Sequence, residues 1–298
     1  MLGWRIGLSC VLVPGLLALF RWDIALGDNA IVLLVLCLLL TLRATFELAD
    51  LLKTRNLQPA FELCAAINVV VILAAWTHRQ MNPADGTRES LLVSLGLVGG
   101  AVVSGFVVLL MREAARYQKP GHAMESLGAN MITVMYAGGL LATIAQLRWY
   151  PSPSMGYFVI GSVIIAVKAG DTMAYTFGRL WGRRKMIPRL SPGKTWIGGL
   201  GALVGSGLGG WLWLTFGGRL FDAAPQPTSL LAVLAYSVTL GVVGLVGDLC
   251  ESLIKRDAEK KDSAKLMPGF GGLLDLLDSP LFAAPFAVAW WALWPPAV

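Results

Sequence analysis

Long apolar runs separated by short polar loops set the pattern of this chain. Runs long enough to cross a bilayer once, about 20 residues at helical rise, fall near residues 3–21, 29–49, 60–77, 90–111, 126–146, 155–176, 196–216, 229–250 and 279–297. The pattern predicts an all-α, polytopic integral membrane protein with about nine transmembrane helices. The fifth run is the weakest, because Asn130 and several glycines dilute it. The first follows a lone Arg5 and has the outline of a signal peptide, but lacks a small-x-small cleavage site before Arg21-Trp22-Asp23 and so reads as a retained span.

Composition agrees with the pattern. Apolar residues make up 56% of the chain and charged ones 14%, and the mean hydropathy is +0.67, which excludes an ordinary soluble domain. Lys and Arg are divided unequally between the two sets of loops. One set holds Arg5, Arg43, Lys53, Arg55, Arg112, Arg116 and Lys119, then the basic stretches 179–194 and 255–265, while the other holds Arg21, Arg79, Arg88, Arg148 and Arg219. The positive-inside rule then places the N-terminus and the loops 177–195 and 251–278 in the cytoplasm, and the C-terminus outside. The net charge of +6, gathered in loops, suits anionic lipid and nucleotide phosphate better than nucleic acid, which is not an expected partner.

Cys10, Cys37, Cys64 and Cys250 have no metal-binding spacing and read as packing residues. The two histidines, His78 and His122, lie far from the charged loops, which argues against a His-based triad or a zinc site there. Gly201-x-x-x-Gly205-x-x-x-Gly209 and Gly96-x-x-x-Gly100 set small residues on one helix face and permit close helix packing, a homodimer included. The formal dinucleotide fingerprint Gly205-x-Gly207-x-x-Gly210 falls inside an apolar span, not between a strand and a helix, and is discounted. Trp211, Trp213, Trp290, Trp291 and Trp294, near span ends, read as interfacial anchors.

Charge collects in one stretch. It begins at Gly247-Asp248-Leu249-Cys250-Glu251-Ser252-Leu253-Ile254-Lys255-Arg256 and continues through Lys261-Asp262 and Pro268-Gly269-Phe270-Gly271-Gly272 to Asp275-Leu276-Leu277-Asp278. So many charges cannot face lipid, where each costs about 2.5–3.5 kcal/mol even on the lenient scale. Asp248, Asp262, Asp275 and Asp278 are hard oxygen ligands suited to Mg²⁺. Lys255, Arg256, Lys260, Lys261 and Lys265 bring positive charge beside them, and the glycine turn lets backbone N–H groups approach an anion. These are the parts of a site for a metal-bound phosphate ester. Composition alone allows a second reading, a basic cytoplasmic loop that only orients the protein.

Upstream lies another polar constellation. Lys168 and Asp171, three residues apart on one face of the sixth span, are natural partners, and are either functional or a self-neutralising structural pair. Gly193-Lys194-Thr195 fails as a P-loop, because the position that needs the first glycine is Pro188.

Ser252-x-x-Lys255-Arg256, Lys261-Asp262, Pro268-Gly269-x-Gly271-Gly272 and Asp275-x-x-Asp278, in that order, resemble the signature of the phosphatidate cytidylyltransferase (CDP-diacylglycerol synthase) family. Asp171-x-x-Ala174-Tyr175-x-x-Gly178-Arg179 and Ser191-Pro192-x-Lys194-Thr195-Trp196 are similar to two further blocks of that family, so the resemblance covers about residues 155–285. The chain departs from the signature at two positions, Phe270 where the commonest pattern has histidine and Leu276 where it has arginine.

The resemblance implies transfer of a cytidylyl group from CTP to phosphatidate, giving CDP-diacylglycerol and pyrophosphate, by a multi-pass enzyme of the inner (plasma) membrane whose active site faces the cytoplasm. Residues 1–150 are then N-terminal transmembrane helices and 151–298 the catalytic region. Mg²⁺ is the expected cofactor, held by Asp248 and Asp275, with Asp278 beside it or on a second metal ion. Asp248, Asp275, Asp278, Lys255 and Asp262 are the expected catalytic residues. Asp171, Ser191, Lys194, Thr195, Arg256, Lys261, Gly271 and Gly272 are the expected substrate-binding residues. An inactive relative, a membrane transporter and a CDP-alcohol phosphotransferase remain as alternatives, although the last has an Asp-Gly and Ala-Arg pattern not found around Asp275 and Asp278.

Overall fold

A computed structural model describes residues 2–54, 57, 59–82, 85–121, 123–221, 225–267 and 271–297, residues 2–10 by their backbone alone. Arg55, His122 and the Pro268-Gly269-Phe270 turn lie outside the described residues. The helices are α1 Leu2–Leu26, α2 Ile31–Lys53, α3 Phe61–Met81, α4 Arg88–Ala115, α5 Ala123–Thr133, α6 Leu140–Ala145, α7 Gly156–Trp181, α8 Trp196–Phe216, α9 Leu230–Asp257 and α10 Leu274–Leu293. A π-helical turn, Val134–Gly139, joins α5 to α6. Among the described residues eight helical segments are long and apolar enough to cross a membrane, with α5 and α6 counted as one. α1, 25 residues long, occupies the first apolar run. The chain is thus a polytopic, nearly all-α membrane protein.

The helices divide into two compact units. One contains Met1–Asp85, Glu89–Gln146 and Asp257–Leu276; the other contains Gly86–Arg88, Leu147–Arg256 and Leu277–Val298. The division passes close to residue 150, but the loop after α9 packs with the N-terminal helices.

In the first unit, buried polar side chains satisfy backbone groups that lipid would leave unpaired. Asp23 accepts hydrogen bonds from the N–H groups of Val32 and Leu33 at the start of α2, at 2.8 and 3.3 Å. Asn130, which weakened the fifth run, is fully buried, and its Oδ1 accepts the Ala60 N–H at 2.8 Å. Thr41 donates to the carbonyl of Ala137 at 2.8 Å, inside the π turn, where the regular helical ladder is interrupted.

In the second unit, α7 and α8 press together through the glycine tract. A Cβ at Gly205 would lie 2.5 Å from the Ala169 carbonyl oxygen and 2.6 Å from Met173 Cβ, and one at Gly201 would lie 2.7 Å from the Met173 carbonyl. The tract predicted to suit helix packing is therefore used within this chain. Gly205→Ala is expected to destabilise the protein by about 1–3 kcal/mol, since backbone cannot yield as a side chain does. Gly96→Ala on α4, where nothing lies within 4 Å, is expected to cost nothing; thermal unfolding in detergent compares the two.

Trp213 and Trp291 differ from expectation. Trp291 is fully buried and donates to the Tyr236 hydroxyl at 3.2 Å, and Trp213 donates to the Phe158 carbonyl at 2.8 Å. Both are interior donors, not interfacial anchors, because each indole N–H finds a partner inside the unit. Trp294, 67% exposed, keeps the predicted outward place.

Candidate functional site

The charged centre of the second unit is assembled by close helix approach. Gly247 immediately precedes Asp248 on α9, and a Cβ there would lie 2.5 Å from Phe282 Cβ and 3.2 Å from the Asp278 carbonyl on α10. Only glycine lets the two backbones come this near. As a result Asp248, Glu251 and Asp278 each offer an oxygen within 4.8 Å of the others. Glu251 and Asp278 are buried, at 2% and 5% exposure, and Asp248 is half-buried.

Each of these carboxylates has a lysine. Lys194 Nζ is 2.9 Å from Asp248 Oδ2 and donates to the Leu245 carbonyl at 3.1 Å. Lys168 Nζ is 3.1 Å from Asp171 Oδ2 and 3.8 Å from Asp278 Oδ1. Lys255, itself buried, pairs with Glu251 one helical turn away. The predicted Lys168/Asp171 pair therefore belongs to the same centre as Asp248 and Asp278. Asp278 Oδ1 also accepts the N–H and hydroxyl of Ser279, which fixes its orientation.

Lys194 reaches Asp248 from a β-hairpin, β1 Lys185–Ile187 paired antiparallel with β2 Ser191–Thr195. Its ends are fastened. Thr195 is buried and accepts the Gly198 N–H at 3.1 Å, capping α8. Side chains at Gly178 and Gly182 would meet the Thr195 side chain, so these glycines let the end of α7 lie against it. Arg256 donates to the Leu190 carbonyl at 3.3 Å, tying the turn of the hairpin to the end of α9. Ser191 is half-buried at the start of β2.

The remaining predicted residues lie in the first unit, in the loop before α10. Lys261, Asp262 and Lys265 are exposed there. Met267 and Gly271 exchange backbone hydrogen bonds at 2.8 and 3.0 Å, closing a turn. Gly271 has φ of 99°, and a Cβ there would lie 2.5 Å from Asp275 Oδ2. Asp275 Oδ2 accepts from the N–H and hydroxyl of Ser263, both at 2.8 Å, and from the Gly272 N–H at 2.8 Å. Asp275 thus shapes the loop, and among the described residues the grouped carboxylates suited to a metal ion are Asp248, Glu251 and Asp278.

Two acidic residues here were not singled out from the sequence. Glu251 stands three residues after Asp248, a helical spacing that sets both on one face and could have marked it. Glu47 on α2 is 1% exposed and bonds the loop before α10; an acid in an apolar helix with Arg43 at i−4 was the signal that could have marked it.

The class these features define is a polytopic membrane protein with a charged centre of carboxylates and lysines drawn from α7, α9, α10 and the hairpin. The chain belongs to the cytidylyltransferase family, whose model it matches over residues 5–294. It is 30% identical over 234 residues to a Haemophilus influenzae protein named phosphatidate cytidylyltransferase, an alignment covering 77% of this chain and 80% of that one. A Mycobacterium leprae protein of the same name is 40% identical over 155 residues, 52% of this chain and 45% of its own length. An Arabidopsis thaliana protein named phosphatidate cytidylyltransferase 5, chloroplastic, is 31% identical over 216 residues, 65% of this chain and 50% of the plant protein.

Proposed function

We propose that this chain transfers the cytidylyl group of CTP to phosphatidate, releasing pyrophosphate and forming CDP-diacylglycerol for phospholipid synthesis. The family match supports the reaction class, and the observation that carries the chemistry is the meeting of Asp248, Glu251 and Asp278 with Lys194, Lys168 and Lys255.

The donor set fits Mg²⁺: hard carboxylate oxygens, close together, with few enough protein ligands to leave places for phosphate. Asp248 and Asp278 would hold it, Glu251 would complete the set, and Asp275, one turn before Asp278 on the same helix face, would add a carboxylate for it or for a second metal ion. When bound, Mg²⁺ supplies charge neutralisation on the nucleotide phosphates.

The residues themselves do the positioning. Lys194 and Lys168, at the edge of the carboxylate group, offer N–H donors to phosphate oxygens that come within reach of Asp248 and Asp278. Arg256 and Ser191 in the second unit, and Lys261, Asp262, Gly271 and Gly272 in the loop before α10, are the further candidates to meet the phosphates. An oxygen of the phosphatidate phosphate attacks the α-phosphorus of CTP; that O–P bond forms as the bond to the bridging oxygen breaks, and pyrophosphate departs with the electron pair. The attacking phosphate is already ionised near neutral pH, so no strong base is needed and Phe270 in place of histidine is tolerated. Acyl chains stay in the bilayer while the head group reaches the polar centre. The excess of Lys and Arg in the loops supports a cytoplasmic centre, and the proposed location is the inner membrane. All the residues named come from one chain, so the chemistry needs no homodimer.

Purified full-length protein in detergent tests this reading. Pyrophosphate release that requires CTP, phosphatidate and Mg²⁺ together is expected. Release of CMP in place of pyrophosphate, or no release from folded protein across several lipids and nucleotides, overturns it; solute transport without nucleotide turnover would favour a transporter.

A further inference from the structure

Glu47 lies in an apolar helix of the N-terminal half, outside every motif of the resemblance, yet its carboxylate is among the most heavily hydrogen-bonded groups described here. Oε1 accepts from Arg43 Nε at 3.0 Å and from the Leu273 N–H at 3.0 Å, and Arg43 Nη2 lies 2.9 Å from the same oxygen. Oε2 accepts from the Leu274 N–H at 3.1 Å and lies 2.9 Å from the Ser263 hydroxyl. That hydroxyl is also 2.8 Å from Asp275 Oδ2, so its single proton is shared between two carboxylates.

The geometry has a clear purpose. A helix begins with N–H groups that lack intrahelical partners and a positive dipole end. At α10 the consecutive N–H groups of Gly272, Leu273 and Leu274 are taken by Asp275, Glu47 and Glu47 in turn. The first of these caps is local, and the other two come from α2. Side chains at Gly272 would meet both Ser263 Oγ and Glu47 Oε2, so this signature glycine is there to admit Glu47. A second tie comes from the end of α2, where the Thr54 hydroxyl is 3.0 Å from the Ala258 carbonyl. The described residues of the loop are therefore fastened to α2 at Ala258, Ser263 and Leu273–Leu274.

We propose that Glu47, neutralised by Arg43, is a positioning residue: it holds residues 258–267 and the start of α10 at 271–274 in the form that binds nucleotide phosphate. The inference rests on the function proposed above and assigns to the N-terminal half a part in the reaction beyond spanning the membrane. With the tether cut, the loop samples other conformations, and CTP binds only to the ordered fraction. A falling ordered fraction raises the apparent dissociation constant in proportion and leaves the rate of the filled site nearly intact.

The test compares parent, Glu47→Gln, Glu47→Asp and Ser263→Ala as full-length proteins in detergent. Glu47→Gln is expected to raise KM for CTP about tenfold with kcat within about threefold, Glu47→Asp to recover part of the loss, and Ser263→Ala to raise KM about threefold. Amide exchange at 272–274 should quicken in the same order. An unchanged KM for CTP in folded Glu47→Gln, or a fall in kcat alone, overturns the proposal, because a merely structural loss removes active molecules without weakening binding. Should Glu47→Gln not fold, Ser263→Ala decides on the same terms. If the parent itself releases no pyrophosphate, the proposed function has failed, and the exchange rates still decide the tether: unchanged rates in the variants refute it.

Discussion

Asp278→Asn and Asp248→Asn are each expected to lower kcat/KM for CTP by about a thousandfold, some 4 kcal/mol of transition-state stabilisation at 1.36 kcal/mol per decade. Both residues contribute an oxygen to the group that spans 4.8 Å, and asparagine keeps the shape while losing the charge that a divalent cation and the lysines require. Folding should survive. Lys168 retains Asp171 at 3.1 Å when Asp278 is neutralised, and Lys194 retains the Leu245 carbonyl when Asp248 is. Glu251→Gln is expected to cost less, about ten- to a hundredfold, since Glu251 already serves Lys255. Steady-state pyrophosphate release at several Mg²⁺ concentrations checks the series. Activity within tenfold of the parent in either aspartate variant would remove that residue from the centre.

Lys194→Met should lower kcat/KM for CTP by about a hundredfold, mainly through KM. Lys194 is the cation that the hairpin delivers, with its side chain 14% exposed and its ammonium 2.9 Å from Asp248. Methionine fills the same space without charge, so it removes a charge-assisted contact to phosphate and leaves Asp248 without this partner. Lys194→Arg keeps the charge but brings a wider, planar head group to a place already shaped by the Leu245 carbonyl, and partial recovery is expected. Thermal midpoints of the two variants should agree with the parent to within a few degrees, because Thr195 and Arg256 fasten the hairpin independently.

The membrane spans were legible because lipid imposes long apolar runs, and nothing else in the chain imitates them. The joining of α5 to α6 was hardest to read for a reason now visible: Asn130, Gly138 and Gly139 are buried, and Asn130 is hydrogen-bonded to Ala60. The hairpin at 185–195 was not foreseen, since three and five residues within a basic loop give too short a pattern to distinguish from a turn. Asp248, Asp278, Lys168 and Lys194 could be named from charge in an apolar chain, but their grouping could not, because it depends on α7, α9, α10 and the hairpin meeting. Glu47 shows the limit most plainly. Its partners are more than 200 residues away, and within α2 only Arg43 at i−4 hints that the acid is used.

The most direct test follows the phosphorus itself. Full-length protein in phosphatidate-containing micelles with Mg²⁺ would be given CTP labelled at the α-phosphorus and, in parallel, at the γ-phosphorus, and the lipid extracted. Label from the α position in lipid, with the γ label released as pyrophosphate in equal amount, is the predicted result. Label from the γ position in lipid, or none from either, would contradict cytidylyl transfer by this centre.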